Sequence, residues 1–589
     1  MNKINIKYIW KLLLEKKKKL ILGQIVTIIA IVLSVPIPLM LPALVDEVLL
    51  NKPNFFINTI NDFIGLGNAF YYITVVTIAV IFLRMIYFVF TVAITKIFTS
   101  ISKYVTFKIR EKLINHLKIV CMNEYESLGS GAIAANLITD VNTLDNFIIT
   151  GASKFVASIL TLLAVSIVMI WIHPILGLMI LLIQPIIMLL SKKISKQVGT
   201  LKKEENQSIE EFQDNIGESL DLFGQIKASN KENFFFNNSI EKAKNIQETS
   251  NNYTYKSVAY ERFSFTIFLI AFEVLRASGL IMVAYSDLSI GMMFAMFGYI
   301  WFIMTPVQDI LSMQYSYTTA TAAIKRINKI LELNTEETGQ EEIKNAKDGI
   351  NIELENMNFS YKKDKPILKN ISLEIKPTEK VAFIGASGSG KTTLAQIIAG
   401  FYTKDSGDIR YNKISIDNIN RKSLRENLFL VLQMPILFNN TLRFNITMGN
   451  ENISDEEISK ALEIAQLKET ILNMSEGLET IVGKHGIRLS GGQRQRLSIA
   501  RMIIANPTVV IFDESTSALD VHTEANLFNA LIPILKDKTI ITIAHRLSTV
   551  KNANKIYVLN EGKIVQSGTH TSLEAEEGHY LEFIKPQLI

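Results

Sequence analysis

A glycine-rich stretch in the second half of the chain has the residue types and spacing of a phosphate-binding loop. Residues 385–392 read Gly-Ala-Ser-Gly-Ser-Gly-Lys-Thr and match the pattern G-x-x-x-x-G-K-[ST]. Val381–Ile384 predicts a buried strand before it and Thr393–Ala399 a helix after it, which is the context that this motif requires. We expect backbone N–H groups and Lys391 to bind phosphates, and Thr392 to bind Mg²⁺. The predicted contacts are Gly385, Ser387, Gly388, Ser389, Gly390, Lys391, Thr392 and Thr393.

Two carboxylates follow an apolar segment further along the chain. Val509–Phe512 predicts a central parallel strand, and Asp513 and Glu514 come directly after it. Ligand sites in open α/β sheets lie at the carboxyl ends of the strands. Asp513 therefore suits a role in organising Mg²⁺, and Glu514 suits the orientation and deprotonation of an attacking water. Adjacent acidic residues are common on surfaces, but after an apolar strand in a chain with a phosphate loop they indicate catalysis.

A third motif, Leu489–Gln493, lies between the other two and reads Leu-Ser-Gly-Gly-Gln. It precedes a predicted helix over Arg494–Ala505. The Ser490 hydroxyl and the glycine amides would donate hydrogen bonds to a phosphate at the start of this helix. A Ser-Gly-Gly sequence alone is usually a turn, and its position between the other motifs is what predicts nucleotide binding. The predicted contacts are Ser490, Gly491, Gly492 and Gln493.

The first 330 or so residues of the 589 are rich in long apolar runs. The chain is 48% hydrophobic, its mean hydropathy is +0.24, and its net charge of +5 gives no indication of nucleic-acid binding. The single cysteine, Cys121, excludes an internal disulfide framework. A membrane-spanning helix needs roughly 20 predominantly apolar residues, and six segments qualify. They are centred on Leu20–Leu44, Phe70–Ile94, Phe147–Ile172, Ile175–Leu190, Phe263–Tyr285 and Ile290–Leu311.

The distribution of lysine and arginine predicts the orientation of these spans. The segment Lys16–Lys19 before the first span is basic, as are the connections between spans two and three and between spans four and five. The alternate connections, around Asn51–Asn61, His173–Pro174 and Ser286–Ser289, are short and poor in these residues. The positive-inside rule therefore predicts a multi-pass protein of the cell membrane with both termini and both long connections in the cytoplasm.

Apolar spacing mixed with charge over Ser100–Lys118 and Lys192–Gln213 predicts that the long connections continue the membrane helices. Three charged residues, Arg84, Glu273 and Arg276, lie inside the predicted spans. Charges at bilayer depth usually face protein or water, so they either line a translocation path or form a structural ion pair. Glu273 and Arg276 are three residues apart and would share one helix face, where they could pair.

An acidic, polar segment over Glu332–Gly349 separates the two halves of the chain. After it, short apolar segments alternate with helical patterns, which is typical of a nucleotide-binding α/β domain. We therefore predict a transmembrane domain over residues 1–335, a linker over 336–349 and an ATP-binding domain over 350–589.

The order and spacing of the three motifs resemble the ATPase domain of the ABC transporters over nearly all of residues 350–589. Tyr361 looks like the aromatic residue that stacks on adenine, and Gln433 like the glutamine that senses the γ-phosphate and Mg²⁺. Asp520 looks like the loop residue that crosses to the partner, and His545 like the switch histidine that contacts the γ-phosphate. The resemblance implies the catalytic residues Glu514, His545 and Gln433 and the metal ligands Thr392, Gln433 and Asp513.

The first half of the chain is similar in layout to the exporters of this family. The implied fold is a membrane α-helical bundle of six transmembrane helices followed by an α/β P-loop ABC ATPase domain, which is the half-transporter arrangement. Glu126–Asp145 and Glu211–Glu232 resemble the two cytoplasmic loops that press short coupling helices into the ATPase domains. Lys484 stands where exporters often carry a glutamate, so we expect the coupling contact to use other charges.

In this family the phosphate loop and the loop that carries Ser490 face each other only across a subunit interface. The resemblance therefore implies a dimer with two sites for ATP and Mg²⁺, formed with an identical copy or with a second half-transporter of different sequence. It implies ATP-driven export or flipping of a hydrophobic or amphipathic cargo, such as a lipid, a drug or a peptide. Import on the same exporter-like fold, as in some siderophore systems, is the alternative. The apolar spans argue against a non-transporting ABC protein, and an ATP-gated channel is a further hypothesis.

Overall fold

The computed structural model describes residues 3–52, 54–65, 67–336, 338–343, 349–362, 365–483, 488–514, 519–544 and 547–585. Contacts between Cα atoms divide the chain into two compact units. The first unit comprises Met1–Leu113 and Ala134–Leu331, and the second comprises Ile114–Ile133 and Glu332–Ile589. The segment Ile114–Ile133 thus groups with the residues that carry the nucleotide motifs, and the predicted domain limits remain a prediction.

The first unit is built from helices, several of which are much longer than a bilayer is thick. Ala69–Leu117 has 49 residues and Pro174–Asp221 has 48. At 1.5 Å per residue such helices are about 70 Å long, whereas the hydrocarbon core is about 30 Å thick. The prediction that the long connections continue the membrane helices is therefore confirmed.

The α-helices that begin in the first unit are Ile6–Glu15, Lys17–Ser34, Met40–Pro42, Phe55–Ile64, Ala69–Leu117, Val141–Ile149, Val156–Ile172, Pro174–Asp221, Phe223–Ala228, Glu232–Tyr285 and Ile290–Glu332. The helix Ser130–Ala135 lies at the boundary between the units. Wider π-helical turns cover Ala43–Leu49, Asn136–Asp140 and Thr150–Phe155, and a 3₁₀ turn covers Ile37–Leu39.

Five helical stretches among the described residues are long and apolar enough to cross a membrane. They are Lys17–Leu49, Ala69–Leu117, Ser130–Ile172, Glu232–Tyr285 and Ile290–Ile310, and five of the six predicted spans fall on them. The fourth predicted span, Ile175–Leu190, lies at the start of the helix Pro174–Asp221. The side chains of residues 183–196 are outside the described part of the chain.

The helix Glu232–Tyr285 carries the predicted ion pair. Arg276 Nη2 lies 2.5 Å from Glu273 Oε2, so the two residues pair as expected from their spacing. More than half of each side chain, 57% and 58%, is exposed in the single chain. Other exposed positions of the same helix, Phe263, Ile270 and Val274, are apolar. The helix therefore presents separate charged and apolar surfaces outside the core of its own unit.

The described residues of the second unit form two β-sheets. Ile352–Lys362, Lys365–Ile375, Ser406–Tyr411 and Ile414–Ser415 form an antiparallel sheet. We number the strands of the described ranges β1 to β10 in chain order: Ile352–Lys362, Lys365–Ile375, Lys380–Ile384, Ser406–Tyr411, Ile414–Ser415, Leu428–Val431, Val509–Asp513, Thr539–Ile543, Lys555–Asn560 and Lys563–Gly568. The second sheet has the strand order β10-β9-β3-β8-β7-β6 and is parallel except at β10.

The parallel sheet is apolar on both faces, as its uninterrupted hydrophobic strands require. In β7 all five residues are buried. Val509 and Ile511 belong to one hydrophobic cluster, and Val510 and Phe512 belong to another. The helices of this unit are Met122–Leu128, Lys391–Ile398, Arg421–Asn427, Leu442–Thr447, Asp455–Ile464, Lys468–Leu472, Gly491–Ala505, Val521–Leu535, Leu547–Lys551, His570–Glu574 and His579–Ile584, with a 3₁₀ turn at Gly477–Glu479.

Candidate functional site

The parallel sheet brings the separate sequence motifs to one edge. Strand β3 ends at Ile384, directly before the phosphate loop, and β7 ends at Asp513. Strand β8 lies between them, and β6 lies on the other side of β7 and ends two residues before Gln433. Because parallel strands point the same way, the loops that follow them lie at the same edge of the sheet. His545, two residues after the end of β8 at Ile543, is outside the described residues.

The phosphate loop has the backbone conformation that its glycines permit. Gly388 has φ +78° and Gly390 has φ +98°, values that side-chain-bearing residues rarely adopt. A Cβ at Gly385 would lie 2.1 Å from the carbonyl oxygen of Leu559, so only glycine fits there. The helix Lys391–Ile398 begins immediately after Gly390. Its first N–H groups have no partner within the helix and are available to the phosphate loop.

Polar groups inside this loop fit a phosphate. The Ser389 hydroxyl is buried and has no hydrogen-bond partner among the described residues, which is costly unless an acceptor occupies the loop. Lys391 is also buried, and its Nζ donates to the carbonyl oxygens of Gly385 and Ala386 at 2.9 Å. Burial lowers the pKa of Lys391, while Glu514 and Asp513 oppose that shift. The loop thus holds a desolvated cation beside an unpaired hydroxyl.

The candidate metal ligands Thr392 and Asp513 are in contact. The Thr392 hydroxyl donates to Asp513 Oδ1 at 3.2 Å, although the residues are 121 positions apart. Asp513 is only 3% exposed. Burial raises the pKa of its carboxyl to about 6, while the bond from Thr392 acts in the opposite direction. A hydroxyl and a carboxylate are the oxygen donors that Mg²⁺ prefers, so these two residues fit the ion.

The buried carboxyl leads to a prediction about stability. Without magnesium and nucleotide, Asp513→Asn should raise the unfolding temperature at pH 7.5. The folded-state pKa of Asp513, about 6, lies above its ordinary value of 3.8. Between these pH values the folded protein keeps a proton that the unfolded chain releases, so wild-type stability falls as pH rises. The full effect is at most about 3 kcal/mol, at about 1.4 kcal/mol per pKa unit.

Thermal unfolding in EDTA at a series of pH values measures this effect. The variant should be more stable than the wild type above pH 6, and the difference should shrink as the pH falls from about 6 to about 4. A difference that stays constant over this range would mean that Asp513 has an ordinary pKa.

The candidate base Glu514 is held by Gln433. Gln433 Nε2 donates to Glu514 Oε2 at 2.6 Å, and the Gln433 carbonyl oxygen accepts from Gln495 Nε2 at 3.0 Å. Glu514 has φ +44°, in the left-handed region that residues other than glycine seldom occupy. Such a conformation costs on the order of 1–3 kcal/mol and is concentrated at functional sites. The backbone therefore turns sharply where the carboxylate leaves strand β7.

Tyr361, the candidate adenine-stacking residue, lies near the end of β1 with 44% of its surface exposed. Its hydroxyl lies 3.1 Å from Thr393 Oγ1, in the helix that follows the phosphate loop. Its ring meets the rings of Phe359 and Tyr402 edge-on, with centroids 5.0 and 5.3 Å apart. One face of the aromatic group thus packs against the domain while the residue remains accessible beside the loop.

Ser490 and Asp520 begin helices. Ser490 caps Gly491–Ala505 through a reciprocal pair with Gln493, with bonds of 3.2 and 2.8 Å. Asp520 caps Val521–Leu535 by accepting from the Thr523 N–H at 2.9 Å. The side-chain hydrogen bond with Thr523, followed by this backbone bond, lowers the pKa of Asp520. Both caps are exposed. Among the described contacts, none joins Ser490 or its glycines to the phosphate loop of the same chain.

Some positions that the sequence singled out lie outside the described part of this site. Lys484 and residues 515–518 are outside the described residues, as is His545. Sequence analysis missed Tyr402 and Gln495, which contact Tyr361 and Gln433, respectively. No local motif marks either residue. Only the packing of distant segments identifies them.

Comparison with known proteins identifies the family. Residues 20–307 match the ABC transporter transmembrane region, and residues 368–517 match the ABC transporter domain that bears the three motifs. The chain is 32% identical over 489 residues to the ATP-dependent lipid A-core flippase of Nitrosococcus oceani, covering 82% of this chain and 81% of that protein. The chain belongs to the ABC transporters.

Other ABC transporters are similar in sequence over most of this chain. A putative multidrug export ATP-binding/permease protein of Bacillus subtilis is 31% identical, with 81% of this chain and 82% of that protein covered. A putative multidrug export protein of Staphylococcus aureus is also 31% identical, with 81% and 83% covered. This ABC transporter therefore combines an exporter-type membrane domain with an ATP-binding domain in one multi-pass chain.

A solved structure confirms the predicted fold of this ABC transporter. A bacterial Atm1-family ABC exporter with ATP bound superimposes with a TM-score of 0.83. The match covers 97% of this chain and 99% of that one at 21% sequence identity. At this identity the likeness concerns the fold: a helical membrane domain followed by the ABC ATPase domain.

Proposed function

We propose that this ABC transporter hydrolyses ATP as a dimer and uses the energy to export or flip a hydrophobic or amphipathic cargo. The observation that carries the proposal is the pairing of Thr392 with Asp513 and of Gln433 with Glu514 at one edge of the sheet. The first pair suits a metal ion and the second suits a water. Apolar helices that can cross a membrane belong to the same chain.

Each group of residues at this site has a separate role in ATP hydrolysis. The loop amides, Ser389 and Lys391 bind and neutralise phosphate oxygens, and Tyr361 stacks on the base. Thr392 and Asp513 would hold Mg²⁺, which would supply positive charge at the phosphate oxygens. Gln433 orients the carboxylate of Glu514, which aligns the attacking water and accepts its proton. We assign His545 to the γ-phosphate because it resembles the switch histidine of the family.

Dimerisation follows from the separation of the motifs within one chain. Ser490 and its glycines cap an exposed helix and make no described contact with the phosphate loop of their own chain. A second copy can supply them across the nucleotide, with Asp520 at the same interface. ATP then binds the closed dimer better than the open one and shifts the population towards it. We take the partner to be an identical chain.

Export is favoured over import because the relatives in both halves are named for export or flipping. Those names suggest lipids and hydrophobic drugs as cargo classes. A peptide is the third class that we consider. The positive-inside rule supports a cytoplasmic ATPase domain, and we assign the chain to the cell membrane.

The test is ATP turnover and transport by the dimer in lipid nanodiscs and in inverted vesicles. A lipid or drug cargo should stimulate the ATPase several-fold, and ATP should drive that cargo into inverted vesicles, which corresponds to export from the cell. Movement out of the vesicles would support import instead. A protein that turns over ATP at full rate as a monomer would contradict the proposal.

A further inference from the structure

A short helix of the segment Ile114–Ile133 is bound to the ATPase unit by main-chain contacts. The N–H of Cys121 donates to the Asn334 carbonyl at 3.0 Å, and the N–H of Glu336 donates to the Ile119 carbonyl at 2.7 Å. Asn334 Nδ2 also donates to Glu124 Oε1 at 2.6 Å. These bonds position the helix Met122–Leu128, which lies in the stretch that precedes and begins the first predicted cytoplasmic loop.

On this helix, Glu126 makes a paired contact with a buried tyrosine. The Tyr402 hydroxyl lies 3.0 Å from Glu126 Oε1 and 3.1 Å from Oε2, although the residues are 276 positions apart. Tyr402 is 7% exposed. Burial raises the pKa of Tyr402, and the hydrogen bond to Glu126 raises it further. The hydroxyl therefore remains protonated and donates to the carboxylate.

The other end of Tyr402 reaches the candidate adenine site. Its ring centroid lies 5.3 Å from that of Tyr361, and the two rings are perpendicular. Phe359 packs against both rings. The hydroxyl of Tyr361 in turn lies 3.1 Å from Thr393 Oγ1, next to the predicted metal ligand Thr392. A ring that shifts when a base stacks on Tyr361 would thus press directly on Tyr402.

We infer that Tyr402 and Glu126 are positioning residues that report the occupancy of the adenine site to the helix Met122–Leu128. The inference rests on the proposed function and deepens it. Base stacking fixes the Tyr361 ring, the Tyr361 ring fixes Tyr402, and the Tyr402 hydroxyl fixes Glu126. The nucleotide base therefore favours one placement of this helix, independently of the phosphate contacts at the opposite end of the nucleotide.

Glu126 is the residue of this helix that makes the link. Glu124, two positions earlier, bonds to Asn334 and not to the aromatic group. Among the described side-chain hydrogen bonds of Met122–Leu128 to residues after 350, only those of Glu126 reach the ATPase core. Glu126 thus provides a charged contact between this helix and the ATPase core.

The experiment uses the full chain in nanodiscs with Glu514→Gln, so that ATP remains bound. Asn58→Cys on the exposed face of helix Phe55–Ile64 provides one spin label per subunit, because Cys121 is buried. Distances between the two labels are measured with saturating ATP and with saturating inorganic tripolyphosphate, which has no base. Glu126→Ala removes the acceptor, Glu126→Gln keeps an acceptor oxygen, and Glu124→Ala is the matched control.

We call dimers with the label distance seen in the absence of nucleotide resting, and dimers with the distance that ATP produces switched. With ATP, Glu126→Ala should lower the ratio of switched to resting dimers about tenfold, the size expected for one hydrogen bond to a charged group. Glu126→Gln and Glu124→Ala should stay within about twofold of the parent. With tripolyphosphate the parent ratio should already be low, and Glu126→Ala should lower it no further. This dependence on the base separates a reporting role from a structural one.

An equal loss with both ligands would mean that Glu126 only holds the helix in place, and it would overturn the inference. A normal ATP response of Glu126→Ala would also overturn it, while leaving the proposed function intact. If ATP does not change the distance between the two labels in the parent protein, the proposed function and the inference both fail.

Discussion

Glu514→Gln should abolish ATP turnover and leave ATP binding nearly unchanged. An amide of the same size can still occupy the position beside Gln433, but it cannot accept a proton from the attacking water. A positioned general base contributes about 10²–10⁴-fold to a rate, so we expect kcat to fall by at least about 100-fold. Phosphate release in nanodiscs measures turnover, and displacement of a fluorescent ATP analogue measures binding.

Glu561→Gln provides the matched control for this substitution. Glu561 also has a positive φ, +47°, but it lies in the turn between β9 and β10. It should keep wild-type turnover, which would show that the loss at Glu514 does not come from strained backbone. Turnover by Glu514→Gln at the wild-type rate would refute the assignment of Glu514 as the base.

Mixed dimers should recover the activity that two inactive variants each lack. Lys391→Ala removes the buried cation of the phosphate loop, and Ser490→Arg blocks the exposed helix cap. Each homodimer should be inactive because both of its sites carry the defect. A dimer of one Lys391→Ala chain and one Ser490→Arg chain pairs the intact loop of one subunit with the intact Ser490 of its partner. We expect about half the wild-type turnover from its one complete site.

Two different affinity tags allow the mixed dimers to be purified away from the homodimers. The control places both substitutions on one chain and pairs it with a wild-type chain. Each site then contains one defect, so this arrangement should be inactive if the sites are shared between subunits. The opposite pattern, with turnover in this control and none in the dimer of two singly substituted chains, would show that each chain binds and hydrolyses ATP alone, and the proposed dimer would be wrong.

Much of the ATPase site could be predicted from the sequence because its parts are local. The phosphate loop needs glycines at fixed positions between a strand and a helix, and the structure places β3 and Lys391–Ile398 there. Asp513 and Glu514 come at the end of an apolar strand, where ligands bind in parallel sheets, and Asp513 accepts a hydrogen bond from Thr392 there. The five helical stretches that are long and apolar enough to cross a membrane could likewise be predicted, because length and apolarity are read directly from the sequence.

Other features depend on contacts between distant segments, which a local pattern does not reveal. The bond from Tyr402 to Glu126 crosses 276 positions, and both residues are ordinary in their local sequence. The grouping of Ile114–Ile133 with the second unit arises from such contacts, as does the bond from Gln433 to Glu514. The positive φ of Glu514 also has no sequence signal, since it is imposed by the turn after β7.

The inclusion of Ile114–Ile133 in the second unit has a consequence for any truncated ATPase. A fragment that starts at Glu332 would lose Glu126 and the apolar side chains of Leu117, Val120 and Met122, which line a cavity of about 390 Å³ beside Phe401. The Tyr402 hydroxyl would lose its acceptor, and the apolar wall of the cavity around Phe401 would be exposed to water. Such a fragment would self-associate through this exposed apolar surface. Tethering residues 114–133 to the fragment would restore the missing wall of the cavity.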